Sequence, residues 1–365
     1  LLKLSNIYKH RETSKIGEAG DMSQLAQPSL NDFETVFKPF LEVGRRSLGL
    51  VNGAYSTEFD EESFAQNDWD LRLIEQAEQL DVSATSIPIE GAVDRQVVAI
   101  DTSSIVVAVG RDGIILGIRG GIAIRNMLGL EIQRVGPFIV YLTPENITSI
   151  LGSIFGDLPP LDLSSYQLDG SIQKTLASLL EKRLQEYVVK QFKDSIILVD
   201  GSLSAGPQDN PIWLVSRILE EARPRGNDIL AFSKTSILQF WSSIFTDDRL
   251  GAKPPYIIDM TWLIERLEMR VRVLGRTFLA RLSSGLSAYR VDVATCRRVE
   301  EVFGSLLKSD SLIYGYPELL ILAHDYCTFT KNDVIAIQAM LRKLGAEFFR
   351  EDSIRDMLFN PIDRR

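Results

Sequence analysis

The chain of 365 residues is poor in two residue types that commonly build sites: it has two cysteines, Cys296 and Cys327, and two histidines, His10 and His324. No CxxC spacing occurs, so a cysteine-built zinc site is not expected. Two cysteines in so long a chain make no disulfide framework, and a reducing, cytoplasmic setting is the expectation. No run of about 18 apolar residues occurs, so no transmembrane helix is expected. Leu1 to Asp21 is mixed and polar, without the apolar stretch and cleavage pattern of a secretory signal. Basic residues are also in deficit. Lys and Arg number 40 against 49 Asp and Glu, a formal net charge of −9. That balance excludes a surface coated with cations for non-specific nucleic-acid binding. Any such binding needs a local basic groove, metal ions or a partner. Charged residues make up 24% of the chain, too few to suggest the Glu/Lys expansion of an extreme thermophile. Hydrophobic residues make up 45%, the ordinary share for a soluble globular protein. The length allows one large domain with attachments, or two domains.

Hydrophobic spacing divides the chain near Gly91. Residues 1 to about 27 show no strong periodicity. Phe33, Val36, Phe37 and Phe40 then lie three or four apart, predicting a helix over Leu30 to Leu50. A second helix is expected over Trp69 to Leu80. Residues 1–90 are thus read as an N-terminal helical region or arm, and 91–365 as the main domain. There, three strands are expected: Val97 to Val109, Ile114 to Ile124 and Glu131 to Leu142. Arg111-Asp112-Gly113 marks a turn, so an antiparallel meander follows. From Ile172 to Phe192 the spacing becomes helical, with Leu176, Leu180, Leu184 and Val188 four apart. A short apolar strand, Ser195 to Val199, ends at Asp200. A helix over Pro211 to Ala222 and a strand over Ile229 to Phe232 follow. Strands over Val271–Leu282, Tyr289–Val293 and Glu318–Ala323 and helices over Val299–Leu307 and Lys331–Leu344 complete the pattern. Alternation of helices and strands predicts that the later part of the sheet is parallel. The fold class is therefore α/β, a ribonuclease-H-like mixed sheet with an antiparallel meander first and parallel strands after it, flanked by helices.

Two places share one design. Val97-Val98-Ala99-Ile100 runs into Asp101-Thr102-Ser103-Ser104, and Ile196-Ile197-Leu198-Val199 runs into Asp200-Gly201-Ser202-Leu203. A carboxylate at a buried strand is costly to desolvate without compensation. A divalent cation compensates it, since hard cations prefer oxygen ligands. Two such strands side by side would bring both carboxylates to one spot, as metal-assisted phosphodiester hydrolysis requires. The bland reading is a strand-end or turn aspartate. Asp259, ahead of a helix, is read as an N-cap. On the helix before Asp200, Glu181 flanks the apolar stripe and can face the sheet, whereas Glu186 points nearly opposite and should be solvated. His324, placed like the two aspartates after an apolar run, is suited to ligate a metal or move a proton, with Asp325 as the alternative ligand. Lys234 follows the Ile229–Phe232 strand and could neutralise phosphate charge. Arg276 and Arg281, with Arg270 and Arg272, could line a DNA groove or mark the solvated face of a strand.

In this order the pieces resemble the NurA nucleases. The resemblance rests on Ala99-Ile100-Asp101-Thr102-Ser103-Ser104, Asp200-Gly201-Ser202-Leu203, Phe232-Ser233-Lys234-Thr235, and the segment from Tyr316-Pro317 to His324-Asp325-Tyr326. It spans about Val97 to Tyr326. It implies a ribonuclease-H-like core and a Mn²⁺- (or Mg²⁺-) dependent nuclease. The implied activities are 5′-to-3′ exonuclease on DNA and endonuclease on single strands. It also implies a homodimer working with a hexameric HerA-type ATPase in DNA end resection. Asp101 and Asp200 would then be metal ligands, His324 would complete the site and Tyr316 would assist. The family also uses a glutamate on the helix before its second aspartate. The face argument selects Glu181, while spacing to Asp200 leaves Glu186 open. Two other readings remain. Actin-like ATPases and kinases share strands ending in Asp, but their phosphate turns are richer in glycine than Asp101-Thr102-Ser103-Ser104. A catalytically inactive scaffold or DNA-binding subunit of a helicase complex would leave the carboxylates dispensable.

Overall fold

A computed structural model describes residues 33–51, 53–56, 82–155, 170–206, 210–233, 246–267, 272–284 and 288–349. The expected helix over Trp69–Leu80 and the candidate Lys234 lie outside the described residues.

The meander forms as its apolar runs and turn signals predict. Strands β3 (Val97–Gly110), β4 (Ile114–Asn126) and β5 (Gly129–Leu142) are antiparallel neighbours. Ahead of them stand helix α1 (Phe33–Leu48) and the short strands β1 (Gly53–Ser56) and β2 (Thr85–Ser86). After them come α2 (Ile147–Phe155), α3 (Gly170–Gln191), β6 (Ile196–Asp200), β7 (Ser204–Ala205), α4 (Ile212–Ala222) and β8 (Asp228–Ser233). Strand β6 is parallel to both its neighbours, β3 and β8. Three antiparallel strands followed by parallel ones in the order β5-β4-β3-β6-β8 make the ribonuclease-H-like arrangement.

The remainder comprises α5 (Asp247–Leu250), β9 (Tyr256–Asp259), α6 (Thr261–Leu267), β10 (Arg272–Val273), β11 (Arg276–Arg281), β12 (Tyr289–Ala294) and α7 (Val299–Ser309). The hairpin strands β13 (Leu312–Ile313) and β14 (Tyr316–Pro317), helices α8 (Glu318–Cys327) and α9 (Lys331–Arg342), and β15 (Ala346–Phe349) close the described chain. Among the described residues the main sheet has 11 strands. Beyond β8 it departs from the parallel expectation, because β12, β11, β9 and β2 each pair antiparallel. Only seven residues, 282–288, join β11 to β12, too few for the crossover a parallel pair needs. The expected strand over Val271–Leu282 is also two strands in two sheets: β10 pairs with β7, β11 with β9 and β12. Gly275, at φ 140°, lies in the break and would push a Cβ against the Val293 carbonyl.

Helix α3 covers one face of the meander and α8 the other. Two adjacent glycines in β4 make both approaches possible. A Cβ on Gly120 would come 2.4 Å from the Leu184 side chain of α3. One on Gly121 would come 2.3 Å from the Ala323 carbonyl oxygen of α8. Helix α1 docks on β5 through Phe37 and Phe40, whose rings lie 6.4 and 5.2 Å from that of Phe138. Burial of two phenylalanines at about 1.5–3 kcal/mol each holds this N-terminal helix on the sheet.

Strand β3 outruns β6. On the edge away from β4 it pairs with β6 as far as Ile100 and with β1 only at Val109 and Gly110. Between these, among the described residues, that edge has no strand partner, and Asp101 stands at the start of the gap.

Candidate metal centre

Asp101 and Asp200 come from adjacent parallel strands. Ile100 pairs with Val199, so each aspartate is the next residue along its strand. By alternation both leave the sheet on the face covered by α8, because Ala99 and Leu198 lie in that core and Ile100 and Val199 in the opposite one. Strand β6 stops at Asp200 because Gly201 turns with φ 119°. The turn is pinned: Gly201 N donates to Phe232 O at 2.8 Å, Ser233 Oγ to Gly201 O at 2.7 Å, and Leu203 N to the buried Asp292 Oδ2 at 2.9 Å.

Asp101 is buried. Its Oδ1 accepts from Thr102 N at 2.7 Å, and its Oδ2 lies 2.7 Å from His324 Nδ1. Burial raises its pKa above the ordinary aspartate value, and the charge of Asp200 raises it further against the opposing pull of His324 and Thr102. Asp200 is half-buried and accepts from the Tyr316 hydroxyl at 3.2 Å. Burial pushes the Tyr316 hydroxyl pKa up, and the neighbouring Asp200 charge adds to it.

Glu181 is on α3. Burial pushes its carboxyl up to about 7; Lys182 opposes this, while the charges of Asp101 and Asp200 reinforce it. Gln185 Nε2 donates to Glu181 Oε1 at 2.6 Å, and Lys182 Nζ lies 3.7 Å from the same oxygen. Glu186 is placed elsewhere. It is buried rather than solvated, held by Arg183 (3.0 Å), Lys190 (2.8 Å) and Arg217 (3.2 Å). The expectation of solvent failed because α4 packs against α3 there and brings Arg217. Burial pushes the Glu186 carboxyl up, but Lys190, Arg217 and Arg183 together hold it below the ordinary value. Of the two glutamates, Glu181 is the one that feels the aspartates.

His324 reaches Asp101 by a different route from the one expected. Glu318–Ala323 is helical, the first part of α8, not a strand. A short apolar run cannot be assigned by periodicity alone, and Leu and Ala favour helix once Pro317 and Glu318 open it. Gly121, which pairs with Asp101, leaves room for the Ala323 carbonyl of α8, and this carries His324 over the carboxylate. The imidazole is half exposed, and Nε2 makes no hydrogen bond among the described residues. Asp325, the alternative ligand, is exposed and one residue further round the helix.

Sequence reading passed over Cys327. One ligand atom each from Asp101, His324 and Cys327 lie within 4.8 Å of one another. The buried thiol donates to His324 O at 3.2 Å, and burial, with Asp101 beside it, pushes its pKa up. The signal was an i, i+3 pair, which shares a face only if the segment is a helix.

The arginines separate. Arg276 pairs with Asp259 at 2.6 Å and Arg281 with Asp247 at 3.0 Å, whereas Arg272 is exposed on β10, beside the β7 strand that follows Asp200. Asp259 also accepts from Thr261 N at 3.0 Å, one residue ahead of the N-cap position it was expected to fill.

Fold and side chains together place two aspartates of adjacent strands beside one imidazole on a ribonuclease-H-like sheet, with the Glu181 carboxyl of α3 near enough for their charges to reach it. The donor set fits a divalent cation: burial and the Asp200 charge raise the proton affinity of Asp101, and the charges of both aspartates add to the rise that burial gives Glu181, as happens where positive charge is wanted. The chain is similar to the NurA nuclease structure from Sulfolobus solfataricus, with 18% identity and a TM-score of 0.43, over 75% of this chain and 93% of that one. It is similar to a second NurA structure at 10% identity and a TM-score of 0.43, covering 74% and 92%. Endonuclease V of Ciona intestinalis, solved with inosine-containing DNA, follows at 10% identity and a TM-score of 0.32, covering 74% and 99%. No family model and no curated protein matches the chain. Side-chain geometry, rather than these likenesses, carries the functional reading.

Proposed function

We propose that the protein is a metal-dependent DNA nuclease of the NurA type. The observation that carries this is the placement of Asp101 and Asp200 side by side, each one residue past the last β3–β6 pair, with Glu181 close enough for its proton affinity to answer to both. Asp101, Asp200 and Glu181 supply oxygen donors to Mn²⁺ or Mg²⁺. A cation bound there supplies Lewis-acid chemistry, activating water and offsetting charge on the scissile phosphodiester. Asp101 orients His324 through Nδ1, which leaves Nε2 for a ligand or a proton. Tyr316 holds Asp200 in place. Arg272 and Lys234 position the DNA backbone. Arg276 and Arg281 are committed to Asp259 and Asp247, so in this reading they shape the β9–β11 region instead.

The finer reading is 5′-to-3′ exonuclease and single-strand endonuclease activity in end resection. A homodimer would work with a hexameric HerA-type ATPase, with residues 1–90 available for these contacts. Net charge of −9 suits DNA delivered by a motor better than DNA captured by diffusion. The actin-like alternative loses ground because β3 continues unbroken through Asp101 to Gly110, where a phosphate loop would have to turn. The test is cleavage of end-labelled single-stranded DNA with Mn²⁺. Degradation by the wild type that disappears in Asp101→Ala is expected. Equal cleavage by both proteins, or none by the wild type, overturns the proposal.

A further inference from the structure

The β13–β14 turn holds an aromatic residue that neither core nor site explains. Tyr314 and Gly315 form the turn, with φ of 53° and 82°. Glycine adopts this conformation freely; a tyrosine is disfavoured in the left-handed region, where Asn, Asp or Gly would be at ease. Burial does not offset that cost, since Tyr314 is 84% exposed. Backbone strain of this kind concentrates where a side chain has to be presented.

The turn is firmly mounted. Arg125 binds both the buried Asp310 and Glu318, bracketing the hairpin. Glu318 N donates to Ser311 O at 2.9 Å, and Tyr289 Oη donates to the Tyr314 carbonyl at 3.1 Å. Tyr289 also stacks edge-on against Tyr316, ring centroids 5.2 Å apart, and Tyr316 reaches Asp200. The exposed ring is therefore two residues, about 7 Å of chain at most, from the tyrosine that touches the acidic centre. Exposed Ile313 precedes it.

We propose that Tyr314 is a base-stacking contact for a single-stranded DNA segment whose phosphodiester lies over Asp101 and Asp200. This rests on the nuclease reading above. Every base offers a π-face, so a fixed aromatic grips a strand without reading its sequence. A rigid mount lowers the ordering cost of that contact. The strained backbone is tolerated because the ring, rather than the turn, is what the position serves.

The experiment uses the full chain and a single-stranded oligonucleotide carrying 2-aminopurine, with Ca²⁺ in place of Mn²⁺. Wild type, Tyr314→Asn and Tyr314→Phe are compared by fluorescence, anisotropy and thermal melting. Asn relieves the backbone, so its variant melts higher. It should nonetheless bind DNA roughly 5- to 150-fold more weakly, the equivalent of about 1–3 kcal/mol per stacked base, and lose the quenching of 2-aminopurine. Phe keeps both. If the wild type binds and Tyr314→Asn binds equally well, the stacking assignment falls while the nuclease reading stands. If Tyr314→Asn changes the sedimentation of the protein and leaves DNA affinity intact, the ring serves a protein contact and the assignment falls too. If the wild type does not bind DNA at all, both readings fall.

Discussion

Replacing Glu181 with Gln should remove the pH dependence that this buried carboxyl imposes on the metal-free protein. Burial raises the Glu181 carboxyl from 4.5 to about 7, with Asp101 and Asp200 adding to the rise and Lys182 opposing it. Between these values the folded chain keeps a proton that the unfolded chain gives up. Folding stability therefore falls as pH rises through that window and is fully lost, for this group, above about 7. Each tenfold difference in proton affinity is worth about 1.4 kcal/mol, so the loss approaches about 3 kcal/mol. Gln cannot ionise and keeps the shape. Urea denaturation in EDTA, at about pH 5 and about pH 8, measures the difference. Relative to wild type, Glu181→Gln should gain up to about 3 kcal/mol on going from the lower pH to the higher. Mn²⁺ should stabilise the wild type more at the higher pH, where the carboxylate is free to bind it, and stabilise the variant less. Asp310, pushed up to about 6 mainly by burial, contributes to the pH dependence of both proteins and cancels in the comparison. Parallel stability curves for the two proteins would refute the burial that raises the proton affinity of Glu181.

Gly121→Ala tests how α8 is seated. Its Cβ would meet the Ala323 carbonyl oxygen at 2.3 Å, an atom that cannot swing aside. Overpacking of about 1–3 kcal/mol should lower Tm by several degrees and slow cleavage by displacing His324; an unchanged Tm would show that the helix does not lie so close. The two thiols should separate in a chromogenic disulfide assay. Exposed Cys296 should react promptly, while Cys327, buried and with its thiol pKa pushed up, should react only on unfolding. Prompt reaction of both would place Cys327 outside the core.

Much of the centre is legible locally. Asp101 and Asp200 announce themselves because an apolar strand seldom runs into a carboxylate without a reason, and both strands form where the pattern puts them. Glu181 follows from helical geometry, since its distance from the apolar stripe of α3 is a property of the helix alone. His324 does lie against Asp101, but it stands on a helix where a strand was expected. Leu319 to Ala323 is apolar on nearly every side, so its period is hidden, and with the helix went the i, i+3 pairing that brings Cys327 alongside. Glu186 was sent to solvent because its own helix leaves it bare; Arg217 of α4 closes over it.

By itself the sequence determined the meander, the helix-and-strand alternation through β8, and the carboxylates into which two apolar strand runs lead. These depend on spacing along the chain, which backbone geometry converts directly into a face or an end. Only the tertiary structure decided that Ile100 pairs with Val199, that Gly121 admits α8 over Asp101, that two of the arginines are taken by Asp259 and Asp247, and that β3 runs on past β6 to leave an edge open among the described residues. Each of those depends on which surfaces meet across the sheet, and side-chain contacts between distant segments leave no period in the chain for a local pattern to carry.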